Sequence, residues 1–189
     1  MKSITEISGT RPALTDADAA ADSSLERQLA ELLAAHGAAL RRVASGYAQG
    51  NIDRDDLLQD IAMALWQALP RFRGECSERT FVFRIAHNRG ISHYSRRKPN
   101  IPLREQDVEQ GEEGQSDSSE FKLSQEQLRR GLLHAIHQLP IIYREVIVLS
   151  LEGLEYREIA QIVGISESNV GVRVNRARGL LKTLMKEHL

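Results

Sequence analysis

The chain is predicted to be all-α, built as two small helical domains joined by a flexible acidic linker. Three observations predict this. Apolar residues recur at helical spacing over most of the length, and no segment sustains the alternation of a half-buried strand. One stretch rich in Pro, Gly, Ser and charge, without apolar periodicity, divides the chain. With 189 residues there is enough sequence for one ordinary domain or two small ones. A hydrophobic fraction of 41%, a charged fraction of 27% and a net charge of -1 describe a chain that folds and stays soluble.

Residues 1–24, rich in Ala, Asp, Ser and Thr, read as a disordered tail. The first domain spans 25–98. Its first helix is marked by Leu25, Leu29, Leu32, Leu33, Ala39, Leu40 and Val43 at helical spacing. The second lies in "NIDRDDLLQDIAMALWQALP", where Asp53 can cap the start and Pro70 closes the end. Leu57, Leu58, Ile61, Leu65 and Trp66 occupy more of its circumference than one interface needs, so some are core, and Trp66 is assigned there as a packing aromatic. The third starts at Ser77, stops before Pro99 and offers Phe81, Val82, Ile85 and Ala86 as one buried face.

Residues 99–123 form the linker, and 124–189 the second domain. Four further helical patterns follow, separated by Pro140, Gly153 and Gly164. The last two, "EYREIAQIVGISESNVGVRVNRARGLL", fit a helix-turn-helix. Ile159 and Val163 bury its first helix, and Ala160 is small enough for close crossing. Gly164 suits the left-handed turn, Ile165 plugs the junction, and Ser166 can cap the next helix. Val170, Val174, Ala177 and Leu181 then form one stripe. Rotation by about 100° per residue places Ser168, Asn169, Val172, Asn175, Arg176 and Gly179 opposite it, with Arg173 and Arg178 on its flanks. Such an outward set fits base edges and phosphates in a duplex, and Val172 would meet a thymine methyl.

Charge is strongly segregated along the chain. Arg71 to Lys98 carries eight basic residues against two acidic, a net of +6, whereas Arg104 to Glu120 carries one against seven, a net of -6. From Phe121 onward ten basic residues face seven acidic, a net of +3. Two basic bodies flanking an acidic strip point to polyanionic partners.

"DRDDLLQDIAMALWQALPRFRGECSERTFVFRIAHNRGISHYSRRK" resembles the second region of extracytoplasmic-function (ECF) sigma factors of the sigma-70 family. "LPIIYREVIVLSLEGLEYREIAQIVGISESNVGVRVNRARGLLK" resembles their fourth region. The resemblance covers most of residues 25–189, in order. It implies a sigma2-like bundle of three or four helices and a sigma4-like helix-turn-helix domain. It also implies a non-enzymatic factor that binds core RNA polymerase and directs promoter recognition, DNA melting and transcription initiation.

By that resemblance Asp56, Leu57, Gln59 and Asp60 belong to the polymerase-docking helix. The loop Arg71 to Thr80 receives a flipped base of the minus-10 element, and the following helix tracks single-stranded DNA, with Arg73, Arg84, Asn88, Arg89, Arg96 and Arg97 as contacts. Ser168, Asn169, Val172, Arg173, Asn175 and Arg176 would read double-stranded minus-35 DNA. His87 and His93, within the same third helix, would meet phosphate or solvent. An anti-sigma protein is a further implied partner. Phe81 and Ser92 depart from the tryptophan and aspartate common in the family.

Other chemistry has little support. Cys76 is the only cysteine, which excludes an internal disulfide and a cysteine-cluster zinc site and makes an inert thiol in a cytoplasmic setting the expectation. His134 and His137 lie one turn apart without a third ligand, so no metal or cofactor is expected. No apolar run reaches the ~18 residues of a membrane span. No nucleophile, phosphate loop or carboxylate pair stands in a catalytic frame. The rival reading is a helix-turn-helix regulator that binds operator duplex without joining holoenzyme.

Overall fold

Seven α-helices and one 3-10 turn make up the regular structure of residues 16–96 and 119–187, the residues described by a computed structural model. No strand occurs among them. The first lobe consists of α1 (Asp16–Ser45), α2 (Asn51–Ala68), the 3-10 turn Leu69–Arg71 and α3 (Glu78–Arg96). The second consists of α4 (Ser119–Gln138), α5 (Ile141–Leu151), α6 (Tyr156–Val163) and α7 (Glu167–Glu187).

Two boundaries differ from the expectation. Helix α1 begins at Asp16, inside the stretch assigned to a disordered tail, because Ala-rich sequence propagates a helix once Leu32, Leu40 and Val43 are anchored in the core. Helix α4 begins at Ser119, inside the assigned linker. The rest of that linker up to residue 118, and residues 1–15, lie outside the described residues.

Local signals account for most helix ends. The Thr80 N–H donates to Ser77 Oγ at 3.1 Å, capping α3 as anticipated. Helix α2 starts earlier than Asp53, after Gly50, whose φ of 84° requires glycine. Asp53 still serves the start by accepting the Gln49 N–H at 2.6 Å. Gly164 turns the chain left-handed at φ 78° between α6 and α7, and Ser166 Oγ accepts the Asn169 N–H at 3.3 Å.

Within the first lobe, Leu57, Ile61 and Leu65 of α2 meet the apolar faces of α1 and α3. Within the second, Val170, Val174, Ala177 and Leu181 bury the α7 stripe against α4, α5 and α6. Ile162, rather than Val163, joins Ile159 as the buried pair of α6. Burial also extends further around α3 than its apolar pattern foretells. Phe83, His87 and Gly90 are covered as well as Phe81, Val82 and Ala86. Their cover is α1, the turn after it and the second lobe, which packs on α3 through α5 and α6.

Candidate nucleic-acid and polymerase interface

A cavity of about 350 Å³ opens between the end of α2, the loop after it and the outer face of α3. Its walls include Arg71, Arg73, Arg84 and Arg89, with Gln67, Glu75 and Cys76. Phe72 and Phe81 line it and stack on one another, ring centroids 4.3 Å apart and 26° from parallel. Apolar walls and converging cations are what a flipped nucleobase and its phosphates require, and the volume falls in the range of small-ligand sites, ~300–1,000 Å³. Sequence reasoning named Arg73, Arg84 and Arg89 here. It did not single out Arg71, Gln67 or Glu75, although Arg71 and Glu75 lie within the loop it identified and Gln67 stands shortly before it. Arg84 Nη2 lies 3.5 Å from Cys76 Sγ, which orients that guanidinium along the cavity wall.

Asn88 is exposed beside Arg89 on α3. Arg96, one helical turn beyond Ser92, pairs with Asp60 of α2 at 3.4 Å, so a residue expected on DNA touches one expected on polymerase. Arg97 lies outside the described residues. The expectation that His87 and His93 meet phosphate or solvent is corrected. His93 Nε2 donates to Asp53 Oδ1 at 2.9 Å, tying α3 to the start of α2. His87 is buried, its Nδ1 3.2 Å from the Tyr47 hydroxyl and its Nε2 3.9 Å from Glu145. Burial pulls its pKa down to about 4, so it is neutral at physiological pH.

On α7, Ser168, Asn169, Asn175 and Arg176 are exposed, and Val172 keeps 45% of its surface open. The opposite stripe is buried, so the helix presents one polar face with an apolar tip, as its rotation predicts. Arg173 is different. It is partly buried and donates to Glu145 Oε1 of α5 at 2.7 Å. Burial raises the pKa of that carboxyl while Arg173 opposes the rise. Arg173 is therefore anchored at the edge of that exposed polar face.

The outer face of α2 carries Asp56 and Gln59, both exposed, with Asp60 half-exposed beside them. Leu57 must be withdrawn from this set. It is 0% exposed, locked in the first lobe's core because its position on the helix points at α1 and α3. Trp66 makes the opposite correction: it is only half-buried and stands outside the buried core. Ile52 and Met63, 80% and 61% exposed, were missed. The steps from Ile52 to Asp56, Gln59 and Met63 are four, three and four residues, which puts all of them on one face. An exposed strip of acid and amide ended by two large apolar groups suits a helical protein partner.

Residues 32–99 match the model of Sigma-70 region 2, and residues 129–181 that of Sigma-70, region 4. An ECF RNA polymerase sigma-E factor of Haemophilus influenzae is 30% identical over 138 residues, covering 69% of this chain and 73% of that protein. The RNA polymerase sigma factor NccH of Alcaligenes xylosoxydans xylosoxydans is 29% identical over 181 residues, covering 89% and 97%. Among solved structures, CnrH in complex with the cytosolic domain of CnrY superimposes with a TM-score of 0.63 at 29% identity, covering 89% of this chain and 94% of that one. The chain belongs to the extracytoplasmic-function sigma factors of the sigma-70 family.

Proposed function

We propose that this factor divides promoter recognition among three surfaces. The α2 face of Asp56, Gln59, Asp60, Ile52 and Met63 docks on core RNA polymerase. The cavity ringed by Arg71, Arg73, Arg84 and Arg89 captures a flipped base of the minus-10 element, and Asn88 and Arg96 follow the freed strand. The α7 face of Ser168, Asn169, Val172, Asn175 and Arg176 reads the minus-35 duplex, with Arg173 at its margin. One observation carries the reading: a cation-lined cavity fit for an unstacked base and a helix fit for an intact major groove occur on a single chain.

Opening duplex costs a few kcal/mol per base, which the cavity and its cations offset only once the strand has parted. Neither lobe is strongly basic, so each contact alone is weak, and polymerase multiplies them by raising effective concentration. An anti-sigma protein is a further proposed partner, in the cytoplasm where polymerase works. The test is transcription in vitro from a promoter template with core polymerase. Addition of this chain is expected to produce discrete promoter-dependent transcripts. A duplex-only operator regulator would bind the template yet yield none, and that result would overturn the reading.

A further inference from the structure

An acid stands beside α7 where simple attraction to DNA has no use for one. Glu145 of α5 accepts a hydrogen bond from Arg173 Nη1 at 2.7 Å. Its side chain is 13% exposed and that of Arg173 26%. The backbone that carries Glu145 is fixed, because Arg144, Val146, Ile147, Val148 and Leu149 around it on α5 are buried. His87 Nε2 lies 3.9 Å from the second carboxylate oxygen but is neutral at physiological pH. Among the described residues, Arg173 is therefore the one cation paired with this carboxylate.

We propose that Glu145 is a positioning residue for minus-35 binding, holding the Arg173 fork so that its remaining edge, Nε and Nη2, clamps a phosphate beside the bases that α7 reads. The inference rests on the reading of α7 as the minus-35 helix.

The first support is placement. Asn169, Arg173 and Arg176 follow one another by four and three residues and form a row along one side of α7. Arg173 stands ~100° around the helix from the exposed tip, Val172. A helix with its side chains is ~10–12 Å across and the major groove ~12 Å wide, so the tip meets bases and the flanks meet the phosphate walls.

The second support is donor geometry. A guanidinium carries five N–H donors in a rigid fork. Glu145 takes up Nη1, and among the described residues neither Nε nor Nη2 has an acceptor. That free edge matches two oxygens of one phosphate. A loose arginine must lose rotamer freedom when it binds, whereas this one has been ordered by folding. Phosphate contacts carry no base information but fix the register in which the helix enters the groove. Glu145 gives up some attraction and supplies direction.

The test measures binding of the full-length protein to a short mixed-sequence duplex at low salt, by fluorescence anisotropy. Arg173→Ala should weaken binding and flatten the dependence of log K on log salt by ~0.9. Glu145→Ala removes an acid next to a polyanion, which by charge alone tightens binding. Positioning demands the opposite sign, a loss of roughly threefold to tenfold. Glu145→Asp keeps the charge but falls one methylene short, and should weaken binding likewise, so the comparison survives if the alanine variant misfolds. Glu145→Gln keeps an acceptor at full reach and should bind like wild type. With Arg173→Ala already present, none of these changes should weaken binding further. Glu145→Asp as tight as wild type, or an equal loss without Arg173, would overturn the proposal. Wild-type protein that ignores duplex would remove the minus-35 reading itself, and this inference with it; wild-type binding with unaltered Glu145 variants would remove the inference alone.

Discussion

Leu57→Ala separates a core residue from a docking residue on the same helix. Leu57 has no exposed surface and sits among the helices of the first lobe, where Ile61 and Leu65 continue its row. Truncation removes buried carbons and leaves a cavity that three packed helices cannot fully close, at a cost of ~3–5 kcal/mol. For a chain of this size each kcal/mol moves the melting temperature by ~2–4 °C, so a fall of roughly 10 °C is expected. Thermal unfolding followed by circular dichroism measures it. A polymerase pull-down at low temperature, where the variant stays folded, should show near-normal association. Loss of polymerase binding with stability changed by under ~1 kcal/mol would mean that Leu57 is a contact after all, and that the assignment of the α2 faces is wrong.

Asp60→Arg should do the reverse: the helical spectrum stays, the exposed pair with Arg96 contributes little, and association with core polymerase falls in a pull-down. Arg176→Ala should weaken minus-35 binding by ~1–3 kcal/mol and relax selectivity at one base pair, read by mobility shift with a panel of substituted duplexes; an equal loss on all sequences would make it a phosphate contact. His87, held near pKa 4 by burial against an ordinary 6.5, is protonated more readily in the unfolded chain. Stability should therefore be full above about pH 6.5 and decline toward pH 4, by a few kcal/mol at most. Burial raises the Glu145 carboxyl in the opposite sense, and His137 is lowered like His87, so the measurement is the wild-type slope minus that of His87→Gln in urea titrations. Identical slopes would show that His87 does not stay neutral in the folded protein.

The helix-turn-helix was almost wholly legible because its signals are local. Gly164 reports its own backbone angle, Ser166 its own cap, and a four-three-four spacing of Val170, Val174, Ala177 and Leu181 reports one buried face. The cavity was legible in part: Arg73, Arg84 and Arg89 lie in a basic stretch, but that Gln67 and Glu75 join them depends on how α2 ends against α3.

What the sequence by itself determined is the set of helices, their polar and apolar faces and the charge each carries, since 3.6-residue periodicity and capping act within a few residues. The tertiary structure alone decided which faces find partners. It buried Leu57 and left Ile52 and Met63 in water, drew His93 onto Asp53 and His87 under Tyr47, anchored Arg173 to Glu145, and fitted Val148 against Gly46. Each of those contacts joins residues many positions apart. A long-range contact depends on complementary shape and on the cost of burying charge, and no short window of sequence records either.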